Sequence, residues 1–367
     1  MSGVSHSAAL KELEVETYQV PTDLPESDGT LQWDHTNVVV VTASAGGIHG
    51  LGYTYAGSET AALISGVLTK VIEGTDAMSP QAGYLAMWRH IRNLGRAGVC
   101  SMAISAVDCA LWDLKARLLQ IPLVKLLGQV REAAGVYGSG GFTSYSDREL
   151  ADQLSGWAQQ GMTAVKMKIG REPGHDRERV RIAREAIGPE VRLYADANGA
   201  YNAREAIEQS EMLAHHDVRW FEEPVSSDDL EGMRFVREHL RSGMVVAAGE
   251  YGYDPFYFRR MLAAGAVDVL QADITRCGGV TGFLQVAALC ATHNIPLSAH
   301  TAPAEHTHLA CAAIPFTEME YFHDHVRIEQ MFFEGFPKLV RGKLAPDLSR
   351  PGNGLELRWA DVQKFAV

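Results

Sequence analysis

Eight short apolar runs recur between residues 135 and 321, and most neighbouring runs are separated by a longer segment with helical periodicity. The runs are 135–138, 164–169, 191–195, 219–222, 245–249, 267–272, 296–299 and 317–321. The helix-like segments are 147–160, 176–187, 203–215, 230–240, 255–264 and 279–293. A short, nearly continuous apolar run suits a strand buried on both faces, and an intervening helix lets successive strands lie parallel. Eight such units predict an α/β chain whose parallel sheet closes into a (β/α)₈ TIM barrel.

The first 130 or so residues have a different rhythm. Residues 37–43 are β-branched and strand-like. Gly46-Gly47-Ile48-His49-Gly50-Leu51-Gly52 reads as a turn entering a second strand, and residues 59–72 and 100–119 read as helices. This predicts a separate α+β region. Residues 343–367 contain Pro351-Gly352-Asn353-Gly354-Leu355-Glu356-Leu357, a turn and a short extended piece that returns to that region.

The chain has 367 residues, 46% of them hydrophobic and 21% charged, the balance of an ordinary globular protein. Its formal net charge of −12, with no basic stripe to offset it, argues against nucleic acid as a partner. A small anionic substrate would need a metal or local cations to reverse that field. Five cysteines, Cys100, Cys109, Cys277, Cys290 and Cys311, lack CxxC spacing, which points to reduced thiols in a cytoplasmic protein. Residues 1–31 are polar and acidic and show no signal peptide, and no apolar run is long enough to span a membrane.

In a barrel the C-terminal strand ends carry the chemistry, and residues of one parity point inward. Leu193-Tyr194-Ala195-Asp196-Ala197-Asn198 ends one strand in an acid. Trp220-Phe221-Glu222-Glu223-Pro224 ends the next, and Val246-Ala247-Ala248-Gly249-Glu250 the third. Asp196, Glu222 and Glu250 together make a hard oxygen site suited to Mg²⁺. Glu222 is preferred to Glu223 as ligand because it shares the parity of Trp220. Zinc is disfavoured, since no histidine or cysteine shares these ends.

Lys166 and Lys168 lie two apart on the second strand and point into the same interior, where charge is expensive unless used. Facing each other and a cation, their ammonium forms are expected to be disfavoured, which makes a neutral amine base available. Asp273 ends the sixth strand and His300 the seventh, so the carboxylate is placed to orient the imidazole. Glu318 and Glu320 share a parity on the eighth strand, and Glu320 is nearer the reactive face. His306 with His308, and His323 with His325, are spaced two apart and invite a metal reading. The first pair begins a helix, where that spacing splays side chains apart.

The ordered set Lys166-x-Lys168, Asp196, Glu222, Glu250, Asp273, His300 and Glu320 resembles the mandelate racemase subgroup of the enolase superfamily. Residues 103–114 (AISAVDCALWDL) resemble the helix leading into that superfamily's barrel, and Leu126-Leu127-Gly128 its usual ending. The segment from Asp273 to Gly279 and the Pro-Gly-x-Gly-Leu-Glu tail extend the likeness over almost the whole chain. The resemblance implies an N-terminal α+β capping domain, 1–130, completed by residues 340–367, over a modified barrel at 131–339.

It also implies a half-reaction. Mg²⁺ on Asp196, Glu222 and Glu250 binds a substrate carboxylate, a base removes the α-proton, and the metal, Lys166 and Glu320 stabilise the enediolate. Lys168 serves one face of the α-carbon, and His300, backed by Asp273, the other. Family members with both base motifs point to dehydration of a sugar acid. Racemisation, epimerisation, or cycloisomerisation of a hydroxy acid or sugar-acid lactone stay open, as does a non-catalytic binding protein. Substrate contacts are expected from two capping stretches, 25–33 with Trp33 and 50–55 with Tyr53 and Tyr55, and from Asn198. Assembly as a homo-oligomer, a dimer or an octamer, is implied.

Overall fold

The computed structural model describes residues 7–241 and 243–367. It opens with three antiparallel strands, β1 (Glu12–Ser27), β2 (Gln32–Ala45) and β3 (Ile48–Thr54), in the order β1-β2-β3. β1 falls in the stretch that reads as polar and unstructured. It carries few apolar residues because one face is solvated, while Leu13, Tyr18 and Val20 on it are buried. A register shift between Pro21 and Glu26 bends its end over the barrel. The helix Pro80–His90 also lacked an expectation; Pro80 occupies its first turn.

The barrel consists of β4 (Ala134–Gly140), β5 (Ala164–Lys168), β6 (Arg192–Asp196), β7 (Val218–Glu222), β8 (Val245–Ala248), β9 (Val269–Ala272), β10 (Leu297–Ala299) and β11 (Phe316–Phe322). Each is parallel to the next, and β11 pairs with β4 to close the sheet. Every expected barrel strand is present, shifted by at most two residues at an end. Outward residues such as Val165, Leu193, Phe221, Val246 and Leu270 pack into one core with the surrounding helices. Inside, Tyr137, Ala164, Tyr194, Trp220, Ala247 and Val269 plug the lower barrel. Tyr194 and Trp220 stack with centroids 4.8 Å apart. That plug separates the layer above it, at the C-terminal strand ends, from the rest of the barrel.

The helix Val99–Leu118 joins the two regions. Asp108 accepts from the Thr281 N–H (2.8 Å) and hydroxyl (2.7 Å) on the barrel helix Gly279–His293. Asp113 accepts from Leu51 N–H in β3 (2.7 Å) and Asn353 N–H in the tail (2.6 Å). Residues of the tail thus return to the first region, where Leu355 and Val362 pack with Tyr18, Val20 and Val38. All five cysteines are free and buried. Among the described residues no helix is long and apolar enough to cross a membrane.

β3 lies flat against this helix. A Cβ built on Gly52 would stand 2.3 Å from Ala106 O and 2.5 Å from Ala110 N, both backbone atoms that cannot turn aside. Gly52→Ala is therefore expected to lose about 1–3 kcal/mol of stability, or more if the sheet must lift. Urea unfolding of wild type and variant measures it, and an unchanged midpoint would contradict the packing described.

Candidate active site

Strand register sets the acids in a row. Lys168 pairs with Asp196, and Asp196 with Glu222, across β5, β6 and β7. Glu250 lies just past β8, where Gly249 has φ +135° and a Cβ on it would stand 2.1 Å from Gln271 O. Only glycine fits that approach, and it turns the chain so that Glu250 joins the other two. One ligand oxygen each from Asp196, Glu222 and Glu250 lies within 4.8 Å of the others, and all three residues are buried. The donors are all carboxylate oxygens, and beside them Glu223 Oε1 is buried with no hydrogen-bond donor. Such a set fits a hard divalent cation.

The basic groups interleave with these acids. Lys166 contacts Glu222 Oε1, and its Nζ is 2.7 Å from Glu320 Oε1 and 3.4 Å from Asp196 Oδ2. Lys168 Nζ is 2.5 Å from Asp196 Oδ2. Burial alone would strip protons from both lysines, yet the carboxylates hold both well above the ordinary amine range. Among these acids alone the ammonium forms are favoured; the expectation of a neutral amine concerned lysines facing a bound cation. Neutralising Asp196 and Glu222 would remove much of that pull.

His300 Nδ1 is 2.8 Å from Asp273 Oδ2, and its Nε2 is 3.2 Å from Glu250 Oε2 and 3.7 Å from Glu320 Oε2. Burial works against the imidazolium, but Glu250, Glu320 and the Asp273 bond lift His300 to about 10. Glu320 is buried too, but Lys166 and His300 pull it down to about 2. Ser139 donates to Glu320 Oε1 (2.6 Å) and Thr301 N–H to Oε2 (3.0 Å). Glu318 lies at the other end of the barrel, bound to Arg192 and Tyr194.

These groups open on one cavity, lined from the barrel by Lys168, Asn198, Glu250, Arg276 and His300. Trp33 and Tyr55 line it from the first region. Asn198, at φ +46°, donates its N–H to Asp196 Oδ1 (2.9 Å) and leaves Oδ1 unpartnered. Trp33 donates to Glu26 Oε2 (2.8 Å) and packs edge-on against Phe142. Tyr53 is a correction. It is fully buried outside the cavity, donating to Glu329 Oε1 (2.6 Å), because inward parity in β3 points it at the helix His323–Phe332. Ser139 escaped notice although its parity on β4 matches Tyr137. Arg276 lay inside a recognised segment without being singled out.

His306 and His308 hold no metal position; both are structural. His306 Nε2 accepts from Ile274 N–H (2.9 Å), and its Nδ1 is 2.9 Å from Thr301 O, which ties the loop after Asp273 to the loop after His300. His308 Nδ1 accepts from Val124 N–H (3.1 Å). Burial pushes each down to about 4.

The site therefore defines a barrel with an acidic, metal-capable mouth flanked by two candidate bases. Residues 13–128 match the N-terminal domain of the Mandelate racemase / muconate lactonizing enzyme family, and residues 149–362 the Enolase C-terminal domain-like family. The chain belongs to the mandelate racemase subgroup of the enolase superfamily. A crystal structure of a mandelate racemase/muconate lactonizing enzyme-like protein from Rubrobacter xylanophilus is 50% identical, with TM-score 0.96 over 98% of this chain and 100% of that one. The 3,6-anhydro-alpha-L-galactonate cycloisomerase of Streptomyces coelicolor is 32% identical over 95% of this chain and 96% of its own length. The L-talarate/galactarate dehydratase of Salmonella typhimurium is 30% identical over 80% and 76%. The chain's relatives are thus enolase-superfamily dehydratases and cycloisomerases of sugar acids.

Both histidines have folded values below the unfolded one, near 6.5, so the unfolded chain binds more protons between about pH 6.5 and 4. Stability is expected to be full above that window and to fall as pH drops through it. His308→Asn should flatten part of the fall in denaturant melts; equal slopes for both proteins would contradict the neutral assignment.

Proposed function

We propose that the protein removes the proton α to a substrate carboxylate and then expels the oxygen at the β-carbon of a sugar acid. The observation that carries this reading is the opening of Lys168 and His300 onto the same cavity as Glu250, one member of the buried acidic triad. Asp196, Glu222 and Glu250 would hold Mg²⁺, which when bound supplies the Lewis-acid charge that makes so weak a carbon acid removable. Lys168, freed from Asp196, takes the α-proton. His300, kept protonated and oriented by Asp273, delivers its proton to the departing oxygen as the β-carbon–oxygen bond breaks. Lys166 and Glu320 set charge beside the carboxylate end. Trp33, Tyr55 and Asn198 are the proposed substrate contacts.

When the departing oxygen is a free hydroxyl, water leaves and the enzyme is a hydro-lyase, which is the reading favoured here. When that oxygen belongs to a ring, the same bond cleavage opens the ring and the product is an isomer. The nearly full-length likeness to a cycloisomerase favours this second form. The same reading takes 1–130 with 340–367 as a capping domain, 131–339 as the barrel, and the active form as a homo-oligomer.

Two measurements test the reaction. Glu222→Gln, or chelation of the wild type, is expected to abolish turnover while leaving the far-UV circular dichroism unchanged. Full activity of both would remove the metal from the scheme. In D₂O with Mg²⁺ and one sugar acid, Lys168→Ala should lose both α-proton exchange and product. His300→Asn should lose product by about 10²–10⁴ while retaining exchange. Undiminished product from both variants would rule out the two-base scheme.

A further inference from the structure

The cations on the barrel side of the cavity are already committed. Lys168 is held by Asp196, and Arg276 lies 3.7 Å from Glu250 Oε1 and 3.5 Å from Asp273 Oδ2 with its guanidinium over Tyr251. On the opposite wall the charge is negative or absent. Asp28 lines the cavity and is 7% exposed; its Oδ1 accepts from the N–H groups of Thr30 and Leu31, both at 2.7 Å. His35 at the rim is paired with Asp34. Two nearby arginines are outside the lining. Arg327 is bound to Asp324 and Pro21 O, and Arg171 reaches Leu31 O and Gln32.

Between these walls, His325 is stacked on Tyr55 with ring centroids 3.4 Å apart and meets Phe322 edge-on. It is 8% exposed, lines the cavity, and its Nδ1 has no hydrogen-bond partner. Burial, then the charges of His300 and Arg276, outweigh Asp273 and Glu320 and push it well below the usual range, so the ring is neutral. The part of a bound acid that lies away from the triad would therefore meet one carboxylate and one neutral imidazole, beside Trp33, Thr36 and Asn37. A second carboxylate placed there would be desolvated without a cation and would face Asp28, a like-charge contact that weakens binding. A hydroxyl placed there can donate to Asp28 and exchange a hydrogen bond with His325.

We infer that the substrate is a monocarboxylate whose distal end is a neutral hydroxyl-bearing chain or ring, and that Asp28 and His325 read that end. This rests on the proposed function, because it takes the acidic triad as the place of the reacting carboxylate.

The test is calorimetric binding in Mg²⁺ of paired six-carbon acids of one configuration, an aldonate and the corresponding aldarate, with α-proton exchange in D₂O followed in parallel. The monoacid of the preferred configuration is expected to bind about 100-fold more tightly than its diacid. Asp28→Asn should narrow that gap, and His325→Arg should narrow it further by supplying a cation. His325→Gln, which keeps a neutral hydrogen-bonding group, should preserve it. Tighter or equal binding of the diacid by wild type overturns the inference, whatever the exchange result. A gap unmoved by both Asp28→Asn and His325→Arg overturns the residue assignment. Preferential monoacid binding without exchange upholds the inference and removes the proposed reaction instead. Binding of neither class overturns both.

Discussion

The structure depends on keeping an excess of negative charge out of water. Asp196, Glu222, Glu223, Glu250, Asp273 and Glu320 are each at most 3% exposed, around Lys166, Lys168, Arg276 and His300. Isolated buried ions cost several kcal/mol each, so most of these groups persist as a network of opposed charges, with Glu223 outside any ion pair of the set. Burial and the neighbouring acids lift Glu222 to about 8 and Glu223 well above the ordinary carboxylate range, a crowding of acids that a divalent cation would relieve. The aromatic plug beneath and the capping sheet above serve the same end. They hold the dielectric low, so a charge forming on a bound carboxylate would be felt by fixed neighbours rather than screened by solvent.

That network is positioned by backbone. Register across β5, β6 and β7 lines up Lys168, Asp196 and Glu222 without help from loops, and Gly249 turns Glu250 into the same row. Of the polar groups behind them, His306 and Thr301 lie outside the strands and Ser139 on β4. His306 joins the segments after Asp273 and His300, while Ser139 and the Thr301 amide fix Glu320. Rigid elements thus carry the reacting groups, and short bonds between strand ends hold their orientation.

The barrel was legible because its strands are buried on both faces, which writes them as uninterrupted apolar runs. The acids at their ends were legible for a related reason, since nothing else explains a carboxylate closing an apolar run. β1 was not, because a half-solvated strand spreads Leu13, Tyr18 and Val20 among charges. The lysines were located by parity, but their protonation was not legible; it depends on which carboxylates touch Nζ, and sequence spacing does not contain that. Tyr53 failed similarly. Adjacent residues on a strand face opposite ways, so Tyr53 and Tyr55 were rightly paired by parity, yet Tyr53 is one step too deep beneath the helix His323–Phe332 to reach the cavity. His325 had no signal beyond its spacing from His323.

The packing of Leu355 and Val362 against Tyr18 and Val20 has a temporal consequence. A chain emerging from a ribosome displays β1 to β3 long before it has made the residues that finish their underside. Most barrel strands, whose next partner follows within a few dozen residues, can zip as they appear, and β11 then closes on β4. The roof of the cavity cannot settle until the segment holding Leu355 and Val362 has been made. A nascent chain can therefore carry the acids and bases unroofed and open to water, and their low-dielectric enclosure is finished only when Leu355 and Val362 arrive.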